Sequence, residues 1–180
     1  MRPTLDEYFL NLARVVATRA TCFRRSVGCV LTDMDGHLLS TGYNGRASGL
    51  PHCNHFHVGT NQTAFGVQLS DYPHACAGAV ADPGSKLDLC EAIHAEQNAL
   101  LQCRDVRLVH NAYVTVSPCV TCVKMLMNTG CRRIIFAEPY AHDTEARRLW
   151  LSLNDVRPGI MPRLWAPLGH ASEARERGSG

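Results

Sequence analysis

The stretch that decides the fold is "AYVTVSPCVTCVKMLMNTGCRRIIFA", residues 112–137. It begins with β-branched and aromatic residues over 112–117, which favours a strand. Pro118 then precedes a run that ends at Gly130, and a proline at the start with a glycine at the end is typical of a helix. The apolar segment 132–137 predicts a further strand. Strands that alternate with helices predict one layered α/β domain.

The flanking segments extend this alternation in both directions. Residues 4–19 have apolar side chains at intervals of three and four, which predicts an amphipathic helix with Thr4 as N-cap and Glu7 completing a capping box. The predicted apolar stripe consists of Leu5, Tyr8, Phe9, Leu12, Val15 and Val16. The other predicted elements are hairpin strands over 26–32 and 36–44, helices over 92–104 and 143–155, and an edge strand over 159–166.

We expect a single domain over 1–167, with a long insertion at about 45–89 and a flexible C-terminal tail over 168–180. The insertion is rich in glycine, proline and histidine. An irregular segment of this length inside a compact domain is normally functional, or is held by something other than a hydrophobic core.

The composition excludes several classes of function. The 180 residues are 46% hydrophobic with a net charge of +2, which is typical of a globular protein and gives no basic surface for nucleic acid. No apolar run reaches the roughly 18 residues of a membrane span, and the N-terminus lacks signal-peptide character. We therefore expect a cytoplasmic protein (host cytoplasm if it is viral) with no nucleic-acid or membrane partner. Nine cysteines and nine histidines in such a chain indicate metal binding more than disulfides.

A candidate metal site comes from "SPCVTC" and "IHAEQNALL". Cys119 and Cys122 lie at a predicted helix N-terminus, where backbone N–H groups and the helix dipole stabilise thiolates. His94, also near a helix start, can supply a third ligand. Three protein ligands leave the fourth tetrahedral position of a zinc ion to water, which is typical of a catalytic zinc site. Bound zinc lowers the pKa of that water to about 7.

Glu96 completes the pattern, because a carboxylate beside the zinc can carry protons from the water to a ring nitrogen and a leaving amine. The order H-x-E followed by P-C-x-x-C is the known signature of zinc nucleobase deaminases. A thioredoxin-type redox motif would also explain Cys119 and Cys122, but it has no use for His94 or Glu96.

The segments "VGCVLTDMDGHLLSTGYNG", "IHAEQNALL", "YVTVSPCVTCVKMLMNTG" and "RRIIFAEPY" resemble the deoxycytidylate (dCMP) deaminase family, including its phage members. The resemblance implies a three-layer α/β/α cytidine deaminase-like fold with a five-stranded mixed sheet. It further implies zinc-dependent hydrolysis of dCMP to dUMP and ammonia, which supplies dUMP for thymidylate synthesis. A homohexamer and control by dCTP and dTTP are also implied.

The same resemblance assigns site residues. It makes His94, Cys119 and Cys122 the ligands of the catalytic zinc and Glu96 the proton shuttle. The residues that it places around the substrate are Asn44 at the sugar or phosphate end, Tyr140 beside the nucleotide, Ala95 and Ser117 at the pyrimidine, and Arg24 and Arg25 near the phosphate.

Some relatives of this type carry a second, structural zinc ion. By resemblance its ligands here are Cys22, Cys53, Cys90 and His74, with Cys76 as the alternative to His74. Four protein ligands with no open position form a closed structural site, which would explain how the insertion is held without a core.

Several alternatives stay open at this point. The family commonly has proline where this sequence has Ala47, in a segment that takes part in effector binding, so regulation is not decided. A deaminase of dCTP or of a 5-substituted dCMP fits the same motifs, whereas a tRNA adenosine deaminase does not explain "GYNG". An inactive zinc-stabilised binding or assembly protein would not need Glu96.

Overall fold

A computed structural model of the protein describes residues 2–54, 72–78, 85, 89–156 and 159–168. The helices of this part are α1 (Leu5–Ala17), α2 (Ala95–Gln102), α3 (Val120–Met127) and α4 (Thr144–Val156). Its strands are β1 (Gly28–Thr32), β2 (Leu38–Tyr43), β3 (Asn111–Val116), β4 (Arg133–Glu138) and β5 (Leu164–Pro167). Within these residues, no helix has the length and apolar character needed to cross a bilayer.

The five strands form one mixed sheet in the order β2-β1-β3-β4-β5. β1 pairs antiparallel with β2 and β3, whereas β3, β4 and β5 run parallel to one another. Alternate side chains of the central strands enter two different cores, as the period of two requires. On β3, Tyr113 packs toward α1, and Ala112 and Val114 pack into the larger core beneath α2, α3 and α4. The α/β/α layering with a five-stranded mixed sheet is therefore confirmed.

The predicted elements are all present, with ends shifted by a few residues, and the edge strand begins just after Pro162. The Thr4–Glu7 capping box of α1 is confirmed. The predicted stripe of α1 is wrong in part, because Leu5, Tyr8 and Val15 are 59%, 52% and 63% exposed. The face that packs on the sheet is instead centred on small residues, and its buried members are Phe9, Leu10, Ala13 and Ala17.

The close approach of α2 to β2 depends on Gly42. A Cβ atom at this position would lie 2.3 Å from both the Ala95 carbonyl oxygen and the Ala99 nitrogen. Ser40 Oγ donates to the Ala99 carbonyl at 2.8 Å, and Asn98 Nδ2 donates to the Tyr43 carbonyl at 2.7 Å. These contacts fix the N-terminal end of α2 against the sheet.

A polar network attaches α1 to the opposite face of the sheet. The carboxylate of Asp6 accepts one hydrogen bond from the Tyr113 hydroxyl at 2.9 Å and another from Arg133 at 2.6 Å. Arg133 also donates to the side-chain oxygen of Asn111 at 2.9 Å. One carboxylate thus satisfies a buried phenol and a half-buried guanidinium at the same time.

We predict that Asp6→Ala lowers the free energy of unfolding by about 1–3 kcal/mol, because it leaves the Tyr113 hydroxyl and Arg133 without their shared acceptor. Urea unfolding followed by circular dichroism measures the change. The matched control is Asp35→Ala on the exposed hairpin turn, where we expect a change within about 0.5 kcal/mol. Equal effects of the two substitutions would contradict a stabilising role for the network.

Candidate active site

His94 is the N-cap residue of α2, and its position is fixed by the chain that precedes it. Ile93 and Gly45 form an isolated antiparallel bridge, with N–H to carbonyl distances of 2.8 and 3.1 Å. The side-chain oxygen of Gln97 accepts the His94 N–H at 2.9 Å, which closes the first turn of the helix. The imidazole is therefore held at the helix N-terminus, beside the end of β2.

Cys119 is the N-cap residue of α3, and Cys122 lies in its first turn, fully buried. His94 Nδ1 is 3.5 Å from Cys119 Sγ and 3.4 Å from Cys122 Sγ. The ligand atoms of all three residues lie within 4.8 Å of one another. The N-termini of two helices thus meet at one imidazole and two thiols.

This donor set fits a zinc ion. With Zn–S of about 2.3 Å and Zn–N of about 2.0–2.1 Å, a tetrahedral ion would separate its nitrogen and sulfur ligands by about 3.6 Å. The two distances from His94 agree with that value. One nitrogen and two sulfur ligands also leave a fourth position open, as catalytic zinc sites do.

The protonation of the thiols favours cation binding as well. A hydrogen bond from Cys122, supported by His94, lowers the pKa of Cys119 to about 3. The hydrogen bond to Cys119 and burial raise the pKa of Cys122. A divalent cation would bind both cysteines as thiolates, because metal ions bind the thiolate form.

Glu96 lies in the first turn of α2 and is only 4% exposed. Burial is the main cause that raises the pKa of its carboxyl group, while the neighbouring His94 opposes the shift. A carboxyl group whose pKa is raised toward neutrality can both accept and return a proton during a reaction. Its position beside the histidine and the thiols therefore suits proton transfer.

All of the residues expected around a substrate line one cavity of about 910 Å³. Its walls include His94, Glu96 and Cys119, and the expected substrate residues on them are Arg24, Arg25, Asn44, Ala95, Ser117 and Tyr140. A cavity of this size is sufficient for a nucleotide-sized ligand.

Both polar atoms of the Asn44 side chain form hydrogen bonds with the protein backbone. Its Oδ1 accepts the Val27 N–H at 2.7 Å, and its Nδ2 donates to the Arg25 carbonyl at 2.7 Å. Asn44 is 8% exposed, so it lines the cavity mainly as a support for the segment that carries the arginines. This positioning was not foreseen from the sequence, since the paired residues are 17 and 19 positions apart.

The two arginines face different partners. Arg24 donates to the carbonyls of Gly78 and Ser85, at 2.9 and 3.4 Å, and so holds the insertion. Arg25, which lines the cavity, forms an ion pair with Glu138 at 2.7 Å, and the two side chains are 45% and 67% exposed. Of the two, Arg25 is the cation better placed to reach a phosphate.

Ser117 organises the other wall of the cavity. Its hydroxyl donates to Asp143 at 2.7 Å and accepts the Tyr140 N–H at 2.6 Å, so it is occupied within the protein. The Tyr140 ring makes an edge contact with His142 at 5.6 Å between centroids. His142 and Asp143 were missed by sequence reasoning. Asp143 had one available signal, since it precedes an amphipathic helix.

A second group of thiols lies under the insertion. Cys53 and Cys76 are buried together, with Cys90 packed against them, and the Cys90 thiol interacts with both Cys22 and Cys76. Burial raises the pKa of Cys53 and of Cys90. The residue His74 is exposed to solvent, whereas Cys76 is only 4% exposed. Of the two candidates for the fourth ligand, Cys76 is thus the one buried with Cys53.

Comparisons with known proteins agree with this site. The profile of the cytidine and deoxycytidylate deaminase zinc-binding region matches residues 3–138. The deoxycytidylate deaminase of Schizosaccharomyces pombe is 32% identical over 150 residues, which cover 82% of this chain and 41% of the yeast protein. That of Mycobacterium phage D29 is 35% identical over 139 residues, which cover 75% of this chain and 95% of the phage protein.

A solved structure of dCMP deaminase from cyanophage S-TIM5, in complex with dCMP and dUMP, has a TM-score of 0.62 at 20% identity. The match covers 92% of this chain and 98% of that one, and it confirms the cytidine deaminase-like fold. The chain spans 41% of the length of the two yeast deoxycytidylate deaminases that it matches. On the profile match and the phage relative together, this chain belongs to the cytidine and deoxycytidylate deaminase zinc-binding family.

Proposed function

We propose that the protein catalyses the zinc-dependent hydrolytic deamination of dCMP to dUMP and ammonia, which supplies dUMP for thymidylate synthesis. The observation that carries the proposal is the buried Glu96 carboxyl beside His94, Cys119 and Cys122 in a nucleotide-sized cavity. Relatives named deoxycytidylate deaminase support the choice of substrate.

His94, Cys119 and Cys122 would hold the zinc ion, which when bound makes hydroxide available from water at neutral pH. Glu96 accepts a proton from the attacking water and delivers it to the pyrimidine ring nitrogen next to the reacting carbon. A second proton passes through the same carboxylate to the amino group, which leaves as ammonia. Water supplies the oxygen of the product, so dCMP and water give dUMP and ammonia.

The remaining cavity residues would position the nucleotide. The backbone at Ala95 and Ser117 faces the pyrimidine, and Tyr140 lies beside it. Arg25 would exchange its ion pair with Glu138 for the substrate phosphate, and Asn44 would hold the Arg25 backbone during this exchange. A guanidinium already paired with a carboxylate has the fork geometry that a phosphate requires.

We further propose that Cys22, Cys53, Cys76 and Cys90 hold a structural zinc ion. The support is the burial of Cys22, Cys53 and Cys76 and the contacts of Cys90 with Cys22 and Cys76. Four sulfur ligands with no open position are typical of structural zinc.

A cytoplasmic homo-oligomer, with a hexamer as the form implied by the family resemblance, is also part of the proposal. Its support is the outer face of α1, where Leu5, Tyr8 and Val15 form an exposed apolar stripe. Such stripes commonly become buried between protein chains. Regulation by dCTP and dTTP stays a prediction of the resemblance.

The reaction is tested by ammonia release from dCMP, dCTP, 5-methyl-dCMP and a tRNA anticodon stem. We expect dCMP to be the preferred substrate and the Glu96→Gln variant to lose about 10²–10⁴-fold in kcat, because its amide cannot carry the proton. The zinc content of this variant should stay unchanged. Glu145→Gln, on the exposed face of α4, is the matched control with full activity. Turnover of dCTP but not of dCMP would overturn the substrate assignment.

The phosphate contact is tested with Arg25→Gln. We expect kcat/KM for dCMP to fall about 10–100-fold, as for the loss of a charge-assisted contact of roughly 1.5–3 kcal/mol, mainly through KM. Activity on deoxycytidine, which has no phosphate, should be nearly unaffected. Arg19→Gln, a substitution of an exposed arginine outside the cavity, is the control. Parallel losses on dCMP and deoxycytidine would contradict a phosphate-binding role.

The second metal site is tested by counting zinc by mass spectrometry in the purified protein. We expect about two zinc ions per chain from one three-ligand and one four-ligand set. Cys76→Ser should reduce the count to about one, because three sulfur ligands bind less tightly than four. The control His74→Ala should leave the count unchanged. A count of about one zinc ion per chain in the unsubstituted protein would contradict the proposed structural site.

A further inference from the structure

A second cavity lies at the other end of α3 from the active site. Its volume is about 370 Å³, and it is bounded by the C-terminal ends of α3 and α4 and by the chain that enters β5. The eight residues of α3 separate it from Cys119 by about 12 Å along the helix, at a rise of 1.5 Å per residue. Among the described residues that line it, the charged ones are Arg132 and Arg163, and none is acidic.

Arg163 is the unusual member of this lining, since the residue is only 6% exposed. One of its terminal nitrogens, Nη2, donates to the Met127 carbonyl at 3.2 Å, and its guanidinium carbon lies 4.2 Å from the centre of the Trp150 ring. The other terminal nitrogen, Nη1, is buried and has no hydrogen-bond partner among the residues that the structure describes. A buried cation normally has a hydrogen-bonded anionic partner.

The known contacts of Arg163 favour its charge but supply no full counter-charge. The Met127 carbonyl lies at the partly negative C-terminal end of α3, and the face of the Trp150 ring attracts a cation. Asn154, which could have served the guanidinium, exchanges hydrogen bonds with the Arg163 backbone at 2.7 and 3.1 Å instead. Burial, followed by the nearby charge of Arg132, lowers the pKa of Arg163, as expected for a cation that lacks a counter-charge.

We propose that this cavity is a binding site for a small phosphate-bearing anion, held between Arg132 and Arg163 and separate from the active site. Among the described residues of the lining, the two guanidinium groups carry full positive charges that exceed the partial negative charges of about 0.5 at the C-terminal ends of α3 and α4. A planar guanidinium pairs with phosphate oxygens through two parallel hydrogen bonds. The volume is within the range of small-molecule sites. The site does not depend on the deaminase assignment, because none of its residues lines the catalytic cavity.

The chain provides its own optical probe for this site. Trp150 and Trp165 are its two tryptophans, and Trp150 stacks on Arg163. In a titration with pyrophosphate, with ionic strength held constant by sodium chloride, we expect a saturable change in tryptophan emission. Arg132→Gln should weaken the affinity about 10–100-fold, as for the loss of one charge-assisted contact. The matched control Arg104→Gln, a substitution of an exposed arginine outside both cavities, should bind as the unsubstituted protein does.

Two further variants test whether the response requires the Arg163 guanidinium and whether it comes from this cavity. Arg163→Lys keeps the charge and loses the planar fork, so it should also weaken binding; circular dichroism establishes that the protein is folded. Arg25→Gln alters only the active-site cavity, and its emission response should match that of the unsubstituted protein.

An emission that does not change saturably with pyrophosphate would overturn the proposal. Equal affinities of Arg132→Gln and Arg104→Gln, or a response lost in Arg25→Gln, would overturn it as well. If emission instead changed with protein concentration in the absence of pyrophosphate, the cavity would be a contact between copies of the chain and the proposal would fall.

Discussion

The candidate active site depends on the meeting of two helix N-termini at one imidazole and two thiols. The positive ends of α2 and α3 repel each other when they approach, because each carries a partial charge of about +0.5. The Cys119 thiolate lies at the end of α3 and against His94, so it offsets this repulsion where it is strongest. Hydrogen bonds from Cys122 and His94 lower the pKa of Cys119, so this negative charge is present where the two helix ends meet.

This approach requires the sheet to hold both helices in fixed positions. On the α2 side, Gly42 removes the side chain that would separate the helix from β2, and Ser40 and Asn98 bind backbone groups across the contact. On the α3 side, the helix follows β3 directly, and Ser117 links the end of that strand to the segment after β4. Polar side chains near the cavity thus act mostly on the backbone, which leaves the catalytic groups a rigid frame.

The sequence predicts the elements and the cluster of His94, Cys119 and Cys122 well, because both leave local signals. Strand composition, the Pro118 and Gly130 boundaries and the spacing of the cysteines all lie within short windows. The buried face of α1 was less predictable, since Ala13 is buried by its contact with Gly28 on the sheet and not by its hydrophobicity. The roles of Asn44 and Ser117 depend on hydrogen bonds between distant segments, for which a single sequence has no signal.

The cysteine cluster and the cavity of the candidate active site share two residues, Cys22 and Cys90. Cys22 and Cys90 lie on the cavity wall, and the Cys90 thiol interacts with Cys22 and with Cys76 of the insertion. Cys22 precedes Arg24 and Arg25 by two and three residues, and Cys90 precedes His94 by four. A metal ion bound by the four thiols would therefore hold in place both the segment of Arg24 and Arg25 and the segment that leads from Cys90 to His94. Arg24, which lines the same cavity, also donates to the carbonyls of Gly78 and Ser85 and so ties these two residues of the insertion to the cavity wall.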